Sequence, residues 1–368
     1  MPIMTPTYKN IHLKFKWNGY HFNREELHEV AYSLVKEGEP YEQSVGDFLM
    51  DWLNDKDYID VKTSGSTGKP KWVRLKKQYM VNSAIATGDF FNVSVGDKAL
   101  HCLPAEYIAG KMMLIRALIL GLEVDFVAPS LHPLAYSNRE YDFCALIPLQ
   151  LQNSLPYLNR VKTIIVGGAT VSNELLEAIQ DKDTLIYETY GMTETVTHIA
   201  AKKLNNFESP EAKAANTFKT LPDVTVKQDK RDCLIINAPN ISDEAIVTND
   251  LVNLVSDREF EWKGRFDNII NSGGIKLIPE QIEAKLDTLI HERFFVAGLP
   301  DGQLGNKLVL IIEGEEVPVN EISEKIKALT TLDKFEVPKE IITLPVFQET
   351  ENGKIKREKT LQELKTHS

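Results

Sequence analysis

The sequence predicts an α/β protein with a large N-terminal domain and a small α+β domain at its C-terminus. Short β-rich runs alternate with helical stretches up to about residue 260, which is typical of a sheet covered by helices. The pattern changes at residues 262–271, and the rest of the chain mixes strands and helices in a shorter unit. With 368 residues, the chain is long enough for two or three domains.

The N-terminal elements follow from hydrophobic spacing. Residues 25–36 predict an amphipathic helix, and residues 111–120 predict a buried one. Ser172 is a suitable N-cap for a further helix. Strands are predicted at residues 98–103, 123–127, 143–147, 163–166 and 185–188.

The C-terminal elements form a unit of about 100 residues, within the usual size of a domain. Pro279 begins an amphipathic helix predicted over residues 279–290. A second helix carries Ile322, Ile326 and Leu329, and a short helix ends the chain. Strands are predicted at residues 293–298, 307–312 and 340–344.

Composition excludes several classes of function. Hydrophobic residues make up 43% and charged residues 26%, as in a folded globular protein. The net charge of −11 argues against a nucleic-acid binder, because phosphate contacts need clustered Lys and Arg. The three cysteines (Cys102, Cys144 and Cys233) lack CxxC spacing and predict buried free thiols rather than a zinc site. No signal peptide or membrane span is predicted, so a cytoplasmic location is expected.

Residues 63–71, TSGSTGKPK, combine glycines, hydroxyl side chains and lysines. Glycines let the backbone turn closely around a ligand and present successive N–H groups to an anion. The segment is not a Walker A loop, because only two residues separate its glycines and Pro70 follows Lys69. It predicts an anion-binding loop, with a flexible surface turn as the alternative.

This loop resembles the phosphate-binding signature of the adenylate-forming superfamily, which includes acyl- and aryl-CoA ligases, peptide-synthetase adenylation domains and luciferases. Further signatures of the superfamily follow in order: YGMTE at 190–194, TND at 248–250 with Asn in place of Gly, GRFDN and SGG within 264–274, and NGKIKR at 352–357. Each motif is weak alone, but the ordered set is specific. The resemblance implies activation of a carboxylic acid by ATP, with Mg²⁺, and transfer of the acyl group to coenzyme A.

The resemblance also implies roles for individual residues. Thr193 would contact the α-phosphate, Glu194 would hold Mg²⁺, and Lys354 would reach the α-phosphate and the acid carboxylate. Tyr190 would form an aromatic wall for adenine, and Asp250 would accept hydrogen bonds from the ribose. The other residues implied in nucleotide binding are Thr63, Ser64, Gly65, Ser66, Thr67, Gly68, Lys71, Gly167, Gly168, Ala169, Gly191 and Arg265.

In the resembling superfamily the small domain is mobile and pivots between two half-reactions. The corresponding division here is residues 1–264, a hinge at 265–268 that contains Asp267, and residues 269–368. Gly273 and Gly274 would leave room for a narrow pantetheine tunnel, or they would form only a tight turn.

Residues 103–110 occupy the place of the superfamily's acyl-pocket stretch, where Tyr107 would gate the pocket. Lys111, together with Arg116, would pair with a second carboxylate on the substrate, and a snorkelling surface lysine is an equal alternative. His198 would face the pocket or serve as a structural histidine. About 60 residues precede the phosphate loop, a shortness that resembles the short o-succinylbenzoate–CoA ligases of menaquinone synthesis, whose substrate is an aromatic dicarboxylic acid.

Other interpretations remain open at this point. A stand-alone adenylation domain could load an aryl or amino acid onto a carrier-protein thiol, and a regulator could keep the fold without catalysis. Taken singly, Glu194 and Asp250 could be surface acids, Arg265 a domain-boundary ion pair and Lys354 part of a solvated basic tail. The sequence leaves the acid, a homodimeric assembly and the resting orientation of the small domain undetermined.

Overall fold

The computed structural model describes residues 5–62, 72–135, 137–349 and 355–366. Within these residues, thirteen strands form one large sheet, five form a second sheet and two form a separate hairpin. The large sheet ends at Arg265, and the five-stranded sheet begins at Ile270. The α/β class that the sequence predicts is confirmed, with a small α+β unit following the large one.

The first described elements include the two strands that form one end of the large sheet. They are β1 (Lys16–Trp17), β2 (Tyr20–His21), α1 (Arg24–Glu37) and α2 (Pro40–Leu53). Helix α1 begins with a capping box between Asn23 and Glu26, in agreement with the predicted helix. Helix α2 was not predicted; it has Pro40 in its first turn and buries Phe48 and Trp52.

The separate hairpin consists of β3 (Tyr58–Lys62) and β4 (Trp72–Lys76). These strands are antiparallel, with Lys62 directly opposite Trp72. The predicted phosphate loop, residues 63–71, connects them in the chain and lies outside the described residues.

The central part of the large sheet is parallel. Its elements are α3 (Lys77–Phe91), β5 (Lys98–His101), α4 (Ile108–Leu120), β6 (Glu123–Phe126), β7 (Tyr141–Leu146), α5 (Pro148–Asn153), β8 (Val161–Val166), α6 (Asn173–Ala178) and β9 (Leu185–Gly191). Strands β7 and β8 are buried along most of their length, as parallel strands covered on both faces must be. Ser172 caps α6 through its hydroxyl oxygen, which accepts from the Leu175 amide, as predicted.

From β10 onwards the predicted alternation of strands and helices is wrong. The elements are β10 (His198–Lys203), α7 (Pro210–Ala214), β11 (Phe218–Thr220), β12 (Thr225–Gln228), β13 (Cys233–Asn237), β14 (Ile246–Ser256) and β15 (Glu259–Arg265). All of these strands pair antiparallel, and the order β9-β10-β11-β15-β14-β13-β12 extends the sheet. Antiparallel neighbours need only short connections, so helices between them are not required.

The second sheet belongs to the C-terminal unit. Its elements are β16 (Ile270–Ser272), β17 (Ile275–Leu277), α8 (Pro279–Leu286), β18 (Phe294–Asp301), β19 (Gly305–Glu313), α9 (Val319–Ala328), β20 (Glu340–Leu344) and α10 (Arg357–Thr366). Helix α8 ends four residues before the predicted boundary, because Asp287 and Thr288, which are weak helix formers, enter a turn. Ile290 nevertheless remains in the core of this unit.

The two faces of the large sheet have separate cores. Helices α3 and α4 pack on one face, and α5 and α6 pack on the other. Cys102, Cys144 and Cys233 are buried free thiols, as predicted. Among the described residues, no helix combines the length and apolar character needed to cross a lipid bilayer.

Candidate functional site

Two predicted groups of the site cannot be placed. The phosphate-loop residues Thr63–Lys71 and the predicted catalytic Lys354 both lie outside the described residues. Their roles therefore remain predictions. The geometry that follows concerns the nucleotide, acid and hinge residues that the structure does describe.

Four predicted or neighbouring side chains meet where β9, β14 and β15 approach one another. The Tyr190 hydroxyl donates to Asp250 Oδ2 at 2.6 Å, and the Trp262 indole N–H donates to Asp250 Oδ1 at 3.3 Å. Arg265 Nη1 lies 3.6 Å from Asp250 Oδ1. The structure thus joins three residues of the predicted nucleotide site, which are 60 and 15 positions apart in sequence, around one carboxylate.

The Asp250 carboxylate is buried, with 7% of its side chain exposed, and two neutral donors fix its orientation. Burial, together with the adjacent Asp250 carboxylate, raises the pKa of Tyr190 well above its usual range. Tyr190 therefore stays protonated and acts as a hydrogen-bond donor at physiological pH. Its ring also packs against Phe218 and Phe260, so this residue of the predicted site is also part of the core.

The departure from the TGD pattern has a structural counterpart at the predicted hinge. Asn249 Nδ2 donates to both carboxylate oxygens of Asp267, at 3.1 and 3.3 Å. The side-chain Oδ1 of Asn249 accepts from Arg231 Nη1 at 2.9 Å, and Arg265 Nη2 lies 3.3 Å from Asp267 Oδ2. Sequence reasoning missed this tether, although the replacement of Gly by Asn was its visible signal.

Thr193 and Glu194 lie in a 3-10 turn, Thr193–Thr195, in the loop that joins β9 to β10. Glu194 is exposed, and no cation of the described residues pairs with it. No group of three or more potential metal ligands occurs among the described residues. A single free carboxylate fits Mg²⁺ that is bound mainly by phosphates and water, rather than a metal cage made by the protein.

The predicted adenine-side loop follows β8 directly. Gly167 donates its N–H to the Leu146 carbonyl at 3.2 Å, and a side chain there would meet the Thr189 hydroxyl. Gly168 has a φ of +93°, and Ala169 is exposed. The segment therefore leaves the carboxyl end of a parallel strand with little side-chain bulk, in the position where α/β sheets bind ligands.

Tyr107 is the N-cap residue of α4 and is half-buried. Lys111, in the first turn of α4, donates from Nζ to the carbonyl of Ala105 and to that of Glu106 at 3.0 Å, and lies 5.5 Å from the centroid of the Phe48 ring. Burial lowers the pKa of Lys111. The Lys111 ammonium thus stabilises the loop that precedes α4. Its contact with a substrate carboxylate remains a prediction.

Arg116 is a buried cation in the apolar helix α4, with 2% of its surface exposed. Its Nη2 lies 3.4 Å from His198 Nδ1 and 3.5 Å from Thr197 Oγ1. Among the described residues, no carboxylate pairs with it and nothing accepts from its Nε. Burial lowers the pKa of Arg116 to about 9.

His198 is buried beside this guanidinium, and its Nε2 lies 3.3 Å from the Thr87 hydroxyl. Burial and the Arg116 charge both lower the pKa of His198, so it is neutral at physiological pH. Both ring nitrogens have polar neighbours, which agrees with a structural histidine and also places it next to the buried cation.

Gly273 and Gly274 form the two-residue turn between β16 and β17. Ser272 pairs with Ile275, and both glycines have positive φ, +57° and +85°, as a tight hairpin turn of the I′ type requires. The tight turn is therefore present. A contact with pantetheine stays a prediction.

Comparison with known proteins gives a consistent result. Residues 61–229 match the family model described as AMP-binding enzyme. A solved acyl-CoA synthetase (AMP-forming)/AMP-acid ligase II-like protein from Dyadobacter fermentans is 34% identical; the alignment covers 92% of this chain and 98% of that one, with a TM-score of 0.59. The 2-succinylbenzoate–CoA ligase of Listeria monocytogenes is 25% identical over 90% of this chain and 74% of that protein.

The fold is shared with a further solved protein. The o-succinylbenzoate–CoA synthetase of Bacillus subtilis, in complex with its acyl-adenylate intermediate, has a TM-score of 0.72. It is 21% identical over 90% of this chain and 80% of its own. At this identity the likeness is one of fold.

Proposed function

Because the chain belongs to the AMP-binding enzyme family, we propose that it is an ATP-dependent acid–CoA ligase, with 2-succinylbenzoate as its acid. In the first step, a carboxylate oxygen of the acid attacks the α-phosphorus of ATP, and pyrophosphate leaves. In the second step, the thiolate of coenzyme A attacks the acyl carbon, and AMP leaves. The ligase relatives from Listeria and Bacillus support the choice of acid and acceptor.

The nucleotide would bind where Asp250, Tyr190 and Arg265 meet. Tyr190 and Trp262 each occupy one acceptor position of the Asp250 carboxylate, which leaves further lone pairs for the ribose hydroxyls. Since both donors are held by the sheet, the carboxylate is oriented before ATP arrives. The segment Gly167, Gly168 and Ala169, which has no large side chain, would lie beside the adenine.

The charge that develops on the α-phosphate would be stabilised by donors from separate parts of the chain. We assign Thr193, Lys354 and the loop of residues 63–71 to the phosphates, and Glu194 to the Mg²⁺ that enters with ATP. The metal would neutralise phosphate charge during transfer. In this proposal the chain holds the acid and the phosphate at reacting distance. Such positioning by itself can supply a large part of the rate acceleration.

The burial of Arg116 without a carboxylate partner among the described residues is the observation that favours a dicarboxylic acid as the substrate. A buried guanidinium without a carboxylate partner is unfavourable, because burial penalises its charge. A substrate with a second carboxylate would provide the missing partner and could accept from Arg116 Nε, which has no acceptor among the described residues. Lys111 is a weaker candidate, because two backbone carbonyls already bind its ammonium.

Thioester formation would place the turn at Gly273 and Gly274 beside the pantetheine thiol, after the small domain rotates about Asp267. The division into residues 1–264, a hinge at 265–268 and residues 269–368 is part of this proposal. The change from β15 to the five-stranded sheet across the short turn Phe266–Asn268 supports it.

A panel of acids tests the function. We expect pyrophosphate release with 2-succinylbenzoate in the absence of coenzyme A, and its thioester with AMP when coenzyme A is added. 4-Phenyl-4-oxobutanoate lacks only the ring carboxylate and serves as the matched control, whereas benzoate lacks the whole 3-carboxypropanoyl side chain and serves as a negative control. Thioester formation on a carrier protein but not on coenzyme A would refute the proposed acceptor, and no release with any acid would refute the ligase activity. Sedimentation of the same sample decides whether the enzyme is a homodimer.

A further inference from the structure

The loop between β9 and β10 joins the phosphate-side residues to the acid-side residues. It runs from Met192 to Thr197 and is closed by the pairing of Gly191 with His198. Thr193 and Glu194 lie in its first half, Thr197 is its last residue and His198 follows it; both Thr197 and His198 contact Arg116. The loop therefore connects these two groups of residues directly along the chain.

The centre of the loop is a γ-turn in a conformation that is rare for any residue with a side chain. Val196 has φ = +66° and ψ = −56°, and the Thr197 amide donates to the Thr195 carbonyl at 2.7 Å. A γ-turn with positive φ is strained, and for a β-branched residue such a φ is an outlier. Strain of this kind persists only where the surrounding structure holds it, and it is concentrated at functional sites.

Three features of the chain hold the turn. Thr195 is fully buried, and its hydroxyl accepts from the Met192 amide at 2.9 Å and donates to the Thr197 carbonyl at 2.6 Å. The Val196 side chain is also fully buried in the main core. At Gly191, a Cβ atom would lie 2.3 Å from the Thr197 oxygen, so only glycine permits this close return of the chain.

We propose that Thr195 and Val196 are positioning residues for the acid-activation step. The strained turn fixes Thr193 and Glu194 relative to the Arg116–His198 pair, so that the α-phosphate and the acid carboxylate meet at reacting distance. This inference rests on the proposed function. Displacement of a reacting group by about 1 Å can lower a rate roughly 100-fold, so a rigid connection between the two halves of the site has a large effect.

Substitutions at Val196 separate strain from the loss of buried volume. Val196→Ala removes two methyl groups but keeps a Cβ atom at positive φ, whereas Val196→Gly also removes the strain. We therefore expect Val196→Gly to unfold at a higher urea concentration than Val196→Ala. Val226, a buried valine in the edge strand β12, provides the matched control, and there the glycine variant should be the less stable one. The same order at both positions would overturn the claim of a strained turn.

Kinetics then test whether the turn positions the site. Val196→Ala keeps the turn and should retain the pyrophosphate-release kcat to within about threefold, whereas Val196→Gly should lose at least about tenfold. The fraction of active sites, titrated by ATP binding, corrects for partial unfolding. A kcat in Val196→Gly equal to that in Val196→Ala would overturn the positioning role.

The dependence of ATP binding on Mg²⁺ gives a readout that needs no acid. By calorimetry, Mg²⁺ should tighten ATP binding to the wild-type protein and to Val196→Ala, and should do so much less for Val196→Gly, because Glu194 is no longer held. An equal effect of Mg²⁺ on all three would overturn the proposal. If no acid is activated but this difference is found, the proposed substrate or activity fails while the positioning of Glu194 stands.

Discussion

Replacing Arg116 by methionine should stabilise the fold and abolish the preference for a dicarboxylic acid. The guanidinium is buried, and among the described residues it has no carboxylate partner. A fall of its pKa from the ordinary value to about 9 corresponds to roughly 5 kcal/mol, at 1.36 kcal/mol per pH unit. That figure is an upper limit, because relaxation around a buried charge reduces the penalty.

The net gain in the free energy of unfolding should be smaller, on the order of 1–3 kcal/mol, because even a buried ion pair, when replaced by well-packed apolar side chains, often yields a stabilisation of about this size. The hydrogen bonds lost, at 3.4 and 3.5 Å, are long and weak. Urea unfolding at pH 7.5 measures the gain, and kcat/KM for 2-succinylbenzoate against 4-phenyl-4-oxobutanoate measures the preference. Arg160→Met is the matched control: Arg160 donates to the carbonyls of Leu134 and Ser137, so its loss should destabilise the protein and leave the preference unchanged.

The pH dependence of stability gives an independent check. The Arg116 pKa is lower in the folded state, so the penalty of its charge is complete below about pH 9 and decreases as the pH rises above that value. The stability difference between Arg116→Met and wild type should therefore shrink from pH 8.5 to 10.5. If the variant is destabilised by more than about 2 kcal/mol and still prefers the dicarboxylic acid, Arg116 is a structural residue and the reasoning fails.

Three further outcomes are expected. Lys354→Ala should abolish pyrophosphate release while sparing thioester formation from supplied acyl-adenylate, and equal loss of both steps would contradict its assigned role. Asn249→Gly removes two exposed hydrogen bonds to Asp267, which are worth about 1 kcal/mol together. Protease cleavage at residues 265–268 should therefore become about fivefold faster. Unchanged cleavage would show that these hydrogen bonds do not restrain the proposed hinge. Burial lowers the His101 pKa to about 4, so the free energy of unfolding of the wild type should fall by up to about 3 kcal/mol as the pH falls from 6.5 to 4. The free energy of unfolding of His101→Leu should fall less over the same range. Urea midpoints measure both, and parallel pH profiles for the two proteins would contradict this.

The sequence predicted the parts of the fold that depend on local patterns. Alternation and helical spacing located the parallel strands and α1, and the Ser172 cap was correct because it involves residues three positions apart. The antiparallel strands β10 to β15 were not predicted, because their order in the sheet depends on pairings between distant segments. Helix α2 was also missed, although Pro40 and the spacing of Val45, Phe48, Leu49 and Trp52 signal it.

The site was predicted through motifs, which locate residues but not their partners. Tyr190 was assigned to an adenine wall, and its hydroxyl is in addition a donor to Asp250, 60 residues away. The isolation of Arg116 could not be seen either, since a lysine or arginine in an apolar helix more often reaches solvent than stays buried. Burial and the absence of a partner are tertiary properties, and they decide the electrostatics of such a residue.

Residues that break a local rule mark a connected path through the site. Arg116 is a charge inside an apolar helix, Val196 is a β-branched residue at positive φ, and Asn249 stands where glycine is expected. Such violations are expected where function, rather than stability, selects the residue. Arg116 contacts Thr197 and His198, which follow Val196, and His198 pairs with Gly191, next to Tyr190. Tyr190 donates to Asp250, and the neighbouring Asn249 donates to Asp267 in the proposed hinge. The proposed acid side, the proposed nucleotide side and the proposed hinge are therefore joined by contacts through β9, β10 and β14. The proposed two-step reaction needs such a connection, because the small domain would rotate after the acid is activated.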